Sequence, residues 1–233
     1  MTDQKPADTA ERRIRSFVIR QGHFTESQRR ALENHWPHFG CDLGDGPLSV
    51  AERFPQCERT VLEIGFGMGY TLAELALREP ATAYIGVEVH KPGVGKLLAL
   101  AVEHELSNLC VYCDDAIDVL NSAIAPDSLD AVLLFFPDPW HKKRHNKRRI
   151  VQPAFAQAVR DKLKIGGLFH MATDWGPYAE HMMTVMETAE GFSNVAGPGH
   201  FTARPASRPE TRFEQRGKRL GHDVWDLIYQ RIN

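Results

Sequence analysis

From residue 60 to 189 the sequence alternates between short apolar runs and longer stretches whose apolar residues recur at helical spacing. The apolar runs cover 60–64, 83–89, 109–112, 129–136 and 168–172. Leu72, Leu75 and Ala76 mark a helix over 70–78. Val94, Leu97, Leu98, Ala101 and Val102 mark a second, at i, i+3, i+4, i+7 and i+8. A short helix is expected over 116–123. Val151, Ala154, Phe155, Ala158, Val159 and Leu163 predict another, ended by Gly166-Gly167. Tyr178, Met182, Val185, Met186 and Ala189 give the last stripe, whose methionines read as core filler. The run 129–136 is almost continuously apolar, as in a strand covered on both faces. Such alternation predicts an α/β fold with right-handed crossovers, a mostly parallel sheet and helices on both faces. Residues 40–47 and the Gly/Pro-rich 191–208 read as irregular, and 222–232 as a last strand.

Outside this frame, 1–10 is short and polar and reads as a disordered tail. Residues 11–57 form a basic arm followed by a short helix carrying Arg29 and Arg30, and 58–233 is the main domain. The net charge of −2 gives no bulk attraction to nucleic acid, so any polyanion site must come from local clustering. No apolar leader or membrane-length run is seen, which predicts a soluble, cytoplasmic protein. No obligate protein partner is evident, and a monomer or homodimer is expected. The four cysteines are too few for a disulfide scaffold. Cys110-x-x-Cys113 lacks a second pair at zinc spacing, so buried thiols and no metal are expected.

One local cluster stands out. Phe135-Phe136-Pro137-Asp138-Pro139-Trp140 runs directly into nine positions holding Lys142, Lys143, Arg144, Lys147, Arg148 and Arg149, with no acid among them. The two prolines present Asp138 stiffly at a strand end. Six cations without an acid repel one another unless a polyanion is present. If all six engage phosphates, the logarithmic salt slope is about 4 on the single-strand scale. Trp140 either stacks on a base or packs, and packing is the simpler reading. The arm over 11–20 is either packed on the core or closes over a ligand.

Ligands of open α/β sheets bind beyond the carboxyl ends of the strands. Gly65-x-Gly67-x-Gly69, Glu88, Asp115, Asp138 and Asp174 all fall there. The glycine spacing is not that of a dinucleotide turn, and Glu63 just before it disfavours a phosphate. Glu88, nineteen residues beyond Gly69, is placed to accept both hydroxyls of a ribose. Asp115 is placed to read an adenine amino group. S-adenosylmethionine, with a sulfonium and no phosphate, fits this set. A nicotinamide dinucleotide does not.

With these residues placed, the chain resembles bacterial tRNA guanine-N7 methyltransferases, which modify the variable-loop guanosine at tRNA position 46. The resemblance rests on Glu63-Ile-Gly-Phe-Gly-Met-Gly69, Glu88, Asp115, Pro137-Asp-Pro-Trp140 and the basic run to Arg149, Thr173-Asp174-Trp175 and Thr211-Arg-Phe-Glu214. It extends from Ile14-Arg-Ser-Phe-Val-Ile-Arg-Gln-Gly22 to the last strand. It implies a class I S-adenosylmethionine-dependent methyltransferase (Rossmann-like) fold with a seven-stranded sheet. It implies that Glu63, Gly65, Gly67, Gly69, Glu88, Asp115 and Asp138 bind the cofactor, and that Asp138 is also the catalytic position. It implies that Lys142, Asp174, Thr211, Arg212, Phe213 and Glu214 bind the substrate. Arg144, His145, Asn146, Lys147, Arg148 and Arg149 match the RNA-contacting segment.

Guanine N7 carries an in-plane lone pair and has no proton to lose. The residues therefore predict an Asp138 that orients the base and stabilises developing positive charge, not a strong base. Asp174 can accept from guanine N1–H and N2–H₂. The alternatives are an exocyclic-amino RNA methyltransferase and a non-catalytic RNA-binding protein on the same fold.

Overall fold

The computed structural model describes residues 14–18, 24–210, 214 and 223–233. Helix α1 (Glu26–Phe39) leads to a two-residue strand, β1 (Gly40–Cys41), and a short helix, α2 (Val50–Arg53). The alternating part then reads β2 (Arg59–Ile64), α3 (Tyr70–Arg78), β3 (Thr82–Val87), α4 (Lys91–Glu103), β4 (Leu109–Tyr112), α5 (Ala116–Ser122) and β5 (Leu129–Phe135). It continues with α6 (Pro153–Lys162), β6 (Leu163–Thr173), α7 (Gly176–Glu187), β7 (Phe192–Asn194) and β8 (Trp225–Arg231).

The strands form one sheet in the order β1-β4-β3-β2-β5-β6-β8-β7. Pairs from β1 through β6 are parallel; β8 runs antiparallel to both β6 and β7. Side-chain alternation along β2 sets the two faces. Leu62 and Ile64 join a core with Val119, Leu120, Phe155, Val159, Tyr178 and Met182, so α5, α6 and α7 cover that face. Val61 points the other way, into a core with Phe39, Leu72, Val94, Leu97 and Leu98, so α1, α3 and α4 cover the other. Each such side chain contributes about 1.5–3 kcal/mol by leaving water, and the double-sided cover explains the unbroken apolar strands.

Four expectations are corrected. The sheet has eight strands among the described residues, not seven, because β1 lies where a loop was expected and pairs with β4. The N-terminal helix is longer than predicted. It starts at a capping box in which Thr25 Oγ1 accepts from Gln28 N and Gln28 Oε1 accepts from Thr25 N. Gly166-Gly167 do not end α6; they lie within β6, in the irregularity between the Leu129–Leu163 and Ala131–Leu168 pairs. The 191–208 stretch contains β7, too short to show a period. Among the described residues no helix is long and apolar enough to cross a membrane.

Candidate active site

The chain winds outward from β2 to β3 and β4 on one side, and from β5 to β6 on the other. The strand order therefore reverses at β2–β5, and a crevice opens beyond their carboxyl ends. The loop after β2 makes its floor. Gly65 and Gly67 have φ of +73° and +59°, and nothing lies within 4 Å of where a side chain would start. That combination leaves bare backbone facing ligand space. Gly93, at the start of α4, lets the helix touch the loop; a Cβ there would sit 2.1 Å from the Gly67 carbonyl oxygen.

Glu88 ties these pieces together. Its carboxylate accepts from Gly67 N at 2.9 Å, Val89 N at 2.8 Å and His90 N at 3.0 Å. A carboxylate offers about four acceptor positions, so roughly one remains. An unengaged carboxylate here could accept both ribose hydroxyls; as placed, Glu88 pins the glycine loop and has room for one.

Glu63 is buried, and its Oε2 has no hydrogen-bond partner among the described residues. Burial, and then the charge of Glu88, push its carboxyl up to about 8. An ionised carboxylate in such a place is unfavourable without a cation beside it. An ammonium or sulfonium supplies one; a phosphate makes it worse. The orphaned oxygen and the open glycine backbone together fit S-adenosylmethionine.

The crevice has two lobes that share Gly65. One, of about 220 Å³, is lined by Ile64, Val87, Glu88, Asp114, Ala116, Leu134 and Asp138, with Ser16 and Phe17 of the arm. The other, of about 160 Å³, is lined by Glu63, the glycine loop, Phe135 and Phe136. Asp115 does not line either lobe. Its Oδ1 accepts from Ile117 N at 3.0 Å, capping α5, and Asp114 stands in the wall. Burial and the neighbouring acids Asp42, Asp118 and Asp115 raise the Asp114 carboxyl. An Asp-Asp pair before a helix carried the signal, since the second Asp is the natural cap.

Asp138 is exposed and lines the larger lobe, as Glu88 does. Its loop is bounded by two non-glycine residues in left-handed conformation, Phe136 at φ +52° and Trp140 at +49°. Such backbone costs about 1–3 kcal/mol per residue and persists only where the surroundings enforce it. Here Phe136 N donates to Ala172 O at 2.8 Å, Arg149 Nε to Pro139 O at 3.0 Å, and Trp140 Nε1 to Ser16 O at 3.0 Å. Trp140 thus packs, and it holds the arm over the crevice. The β5–β6 register pairs Phe135 with Ala172, so the chain leaves β6 at Thr173-Asp174 on the same edge of the sheet as it leaves β5 toward Asp138; Asp174 lines neither lobe. His141 and Trp175 meet edge to face at 4.5 Å.

The basic run forms a 3₁₀ helix over Lys143–Arg148. Lys142, Lys143, Arg144 and Lys147 are exposed, while His145 and Asn146 are half-buried. Arg148 stacks on Trp140 at 4.6 Å. Arg149 turns inward: it is buried over the Tyr178 ring at 4.9 Å and bonds Pro139. Its placement makes it a brace for the Asp138 loop, so at most five cations of the run remain to face a polyanion, and the expected salt slope falls to about 3.5. Replacing Lys143 and Arg144 with alanine is expected to flatten the slope of log K against log salt for tRNA binding by about 1.4. Arg149→Ala should leave that slope alone and lower thermal stability instead. Titrations at several salt concentrations, with a melting curve of each variant, check both.

Thr211, Arg212 and Phe213 lie outside the described residues. Glu214 is buried, with Arg208 Nη1 donating to its Oε2 at 2.6 Å. Sequence reasoning missed Arg208, Asp226 and His170, because nothing in a Gly/Pro-rich stretch or a strand pattern marks a buried ion cluster.

A family model described as "Putative methyltransferase" matches residues 57–227. The chain is 56% identical over 238 residues to a tRNA (guanine-N(7)-)-methyltransferase of Stutzerimonas stutzeri, covering all of both chains. It is 56% identical over 218 residues to the protein of that name from Saccharophagus degradans, covering 94% of this chain and 95% of the other. The chain belongs to the tRNA (guanine-N(7)-)-methyltransferase family. Among solved structures, the 16S rRNA methyltransferase KamB matches with a TM-score of 0.59 and 15% identity, over 78% of this chain and 92% of that one. A 16S rRNA (adenine(1408)-N(1))-methyltransferase from Catenulisporales acidiphilia matches with a TM-score of 0.54 and 12% identity, over 83% and 92%. At such identity these two bear on the fold, which is the class I methyltransferase fold. The open glycine loop, Glu63 and Glu88 line the crevice, and Asp138 lines its larger lobe.

Proposed function

We propose that this protein transfers a methyl group from S-adenosylmethionine to N7 of guanosine in tRNA, at position 46 of the variable loop. The observation that carries the reading is the buried, unpartnered Glu63 oxygen beside an open glycine loop, in the same crevice that Asp138 faces. When bound there, the cofactor supplies an electrophilic methyl group on a positively charged sulfur.

This chain's residues then do three things. Glu63 balances the positive charge, and Glu88 holds the Gly67 amide and offers its remaining acceptor position to a ribose hydroxyl. Asp138, on a loop stiffened at both ends, orients the guanine so that the N7 lone pair points into the crevice. It also stabilises the positive charge that moves onto the base. No general base is required, because N7 has no proton to lose. Asp174, one strand over, accepts from the guanine N1–H and N2–H₂ edge and so selects guanine. Thr211 to Glu214 complete the guanosine site, and Lys142 with the exposed cations holds the phosphates. The protein acts in the cytoplasm without an obligate protein partner.

The test is incubation with unmodified tRNA and methyl-labelled cofactor, followed by nucleoside chromatography and mapping of the labelled base. N7-methylguanine at position 46 is expected. Label on an exocyclic amine, or at another position, would reject the assignment.

A further inference from the structure

The chain has four tryptophans, and the fold treats them differently. Trp36 Nε1 donates to Asp42 Oδ2 at 3.3 Å, and Trp140 Nε1 to Ser16 O at 3.0 Å. Trp225 begins β8, and its ring lies against the start of α7, where a Cβ on Gly176 would sit 3.3 Å from it. Trp175 stands apart. It is 38% exposed, and its indole N–H has no hydrogen-bond partner among the described residues. Its backbone is nonetheless fixed. Trp175 N donates to Oγ1 of the buried Thr173 at 3.3 Å. Trp175 O accepts from Tyr178 N at 2.8 Å and Ala179 N at 3.0 Å, closing the first turn of α7.

A large aromatic ring left in water forgoes its main contribution to packing. On a pinned backbone it is also ordered in advance, so little entropy remains to be lost when something flat settles on it. Its surroundings identify that partner. Trp175 follows Asp174, on the edge of the sheet where β5 leads to Asp138. Its ring meets the exposed His141 edge to face at 4.5 Å. The exposed Lys142, Lys143 and Arg144 come directly after His141. A neutral apolar partner gains nothing from three cations beside the ring. A flat π-face carried on a polyanionic backbone gains from both, and an unpaired nucleobase is such a group.

We propose that Trp175 is a stacking platform for a nucleobase of the bound RNA, whose adjoining phosphates face Lys142, Lys143 and Arg144. This rests on the reading that tRNA is the substrate and approaches beside Asp138. Trp140 is not free for the task, because Arg148 covers its ring at 4.6 Å and Ser16 holds its N–H. The stacked base is the target guanine or a neighbour in the same strand, and RNA lacking one base tells these apart.

The experiment compares full-length Trp175→Ala, Trp175→Leu and Trp175→Phe with the unaltered protein. tRNA affinity is titrated at several salt concentrations, S-adenosylmethionine affinity is measured by calorimetry, and melting curves check folding. Trp175→Ala is expected to weaken tRNA binding about 5- to 150-fold, the range for losing one stacked base. The loss should be the same at every salt concentration, because stacking releases no counterions, so the slope of log K against log salt is unchanged. Trp175→Leu is apolar without a π-face; it should lose most of the same amount, and it serves if the alanine variant does not fold. Trp175→Phe keeps a π-face and should stay within about threefold of the wild type. Cofactor affinity should stay within about twofold in all three, since Trp175 lines neither lobe of the crevice. The ratio of wild-type to Trp175→Ala affinity is then measured on tRNAs with one base removed, at the target guanosine or at either neighbouring nucleotide. Removing the stacked base should bring that ratio close to one. At the target position this identifies the guanine, and at a neighbour it identifies a flanking base. Near-normal tRNA affinity in Trp175→Ala, a phenylalanine variant no better than the leucine one, or a ratio that survives every base removal would overturn the proposal. If Trp175→Ala is silent while the wild type methylates guanosine N7, the platform has failed and the reading of the reaction stands. If the wild type places no methyl group on guanine N7, that reading has failed, and the binding ratios decide the platform on their own.

Discussion

Asp138→Ala lowers methyl transfer at saturating tRNA and cofactor by about 10²–10³-fold, the loss expected for removing one preorganised stabiliser of transition-state charge. The fold survives. Asp138 is exposed and makes no hydrogen bond among the described residues, so its removal changes stability by no more than about 0.5 kcal/mol. Cofactor affinity changes much less than turnover, because Glu63 and Glu88 remain. Asp138→Asn separates orientation from charge. It keeps the shape and an acceptor oxygen, but cannot stabilise a cation as a carboxylate does. It should fall between the wild type and the alanine variant. Single-turnover methylation, with cofactor affinity measured in parallel, tests this. An alanine variant that turns over within tenfold of the wild type would remove Asp138 from the chemistry.

The restraints on the Asp138 loop explain why part of this site was legible and part was not. Pro137 and Pro139 announce a stiff presentation of the acid, and the apolar run before them announces the strand. The same physics made β2 through β5 readable, since strands covered on both faces leave few polar residues, such as Glu63 in β2 and Asp130 in β5, to blur the pattern. β1 and β7 were invisible because two or three residues carry no period; only their partners define them. Arg149 looked like one more cation of six. Only the fold shows Tyr178 beneath it and the Pro139 carbonyl before it. Of the two aspartates after β4, Asp115 was expected to read the adenine, yet it caps α5 while Asp114 lines the lobe. Capping and lining are separate tasks for adjacent residues, and the helix start decides which does which.

Glu63→Gln is expected to weaken S-adenosylmethionine binding about 10²-fold, and to do so with a signature in pH. In the ligand-free protein the Glu63 carboxyl is raised to about 8, against an unfolded value near 4.3. Between these values the folded state holds a proton that the unfolded state has released. Stability therefore falls as pH rises through this window, and levels off above about 8. A cationic ligand reverses the preference, because beside it the ionised carboxylate is the favoured form. Binding at pH 7 should then expel close to one proton, seen as a binding enthalpy that changes with the ionisation enthalpy of the buffer. The glutamine variant has nothing to titrate at this position. It should lose both the proton release and this part of the pH dependence of melting, and at pH 8 the ligand-free variant should melt higher than the wild type. The two effects pull in opposite directions. A generally damaged protein would lose affinity and stability together, whereas this one should bind worse while melting higher. Buffer-dependent calorimetry and melting curves from pH 5 to 9 decide it: a variant with unchanged affinity and unchanged proton release would show that Glu63 does not face the cofactor's charge.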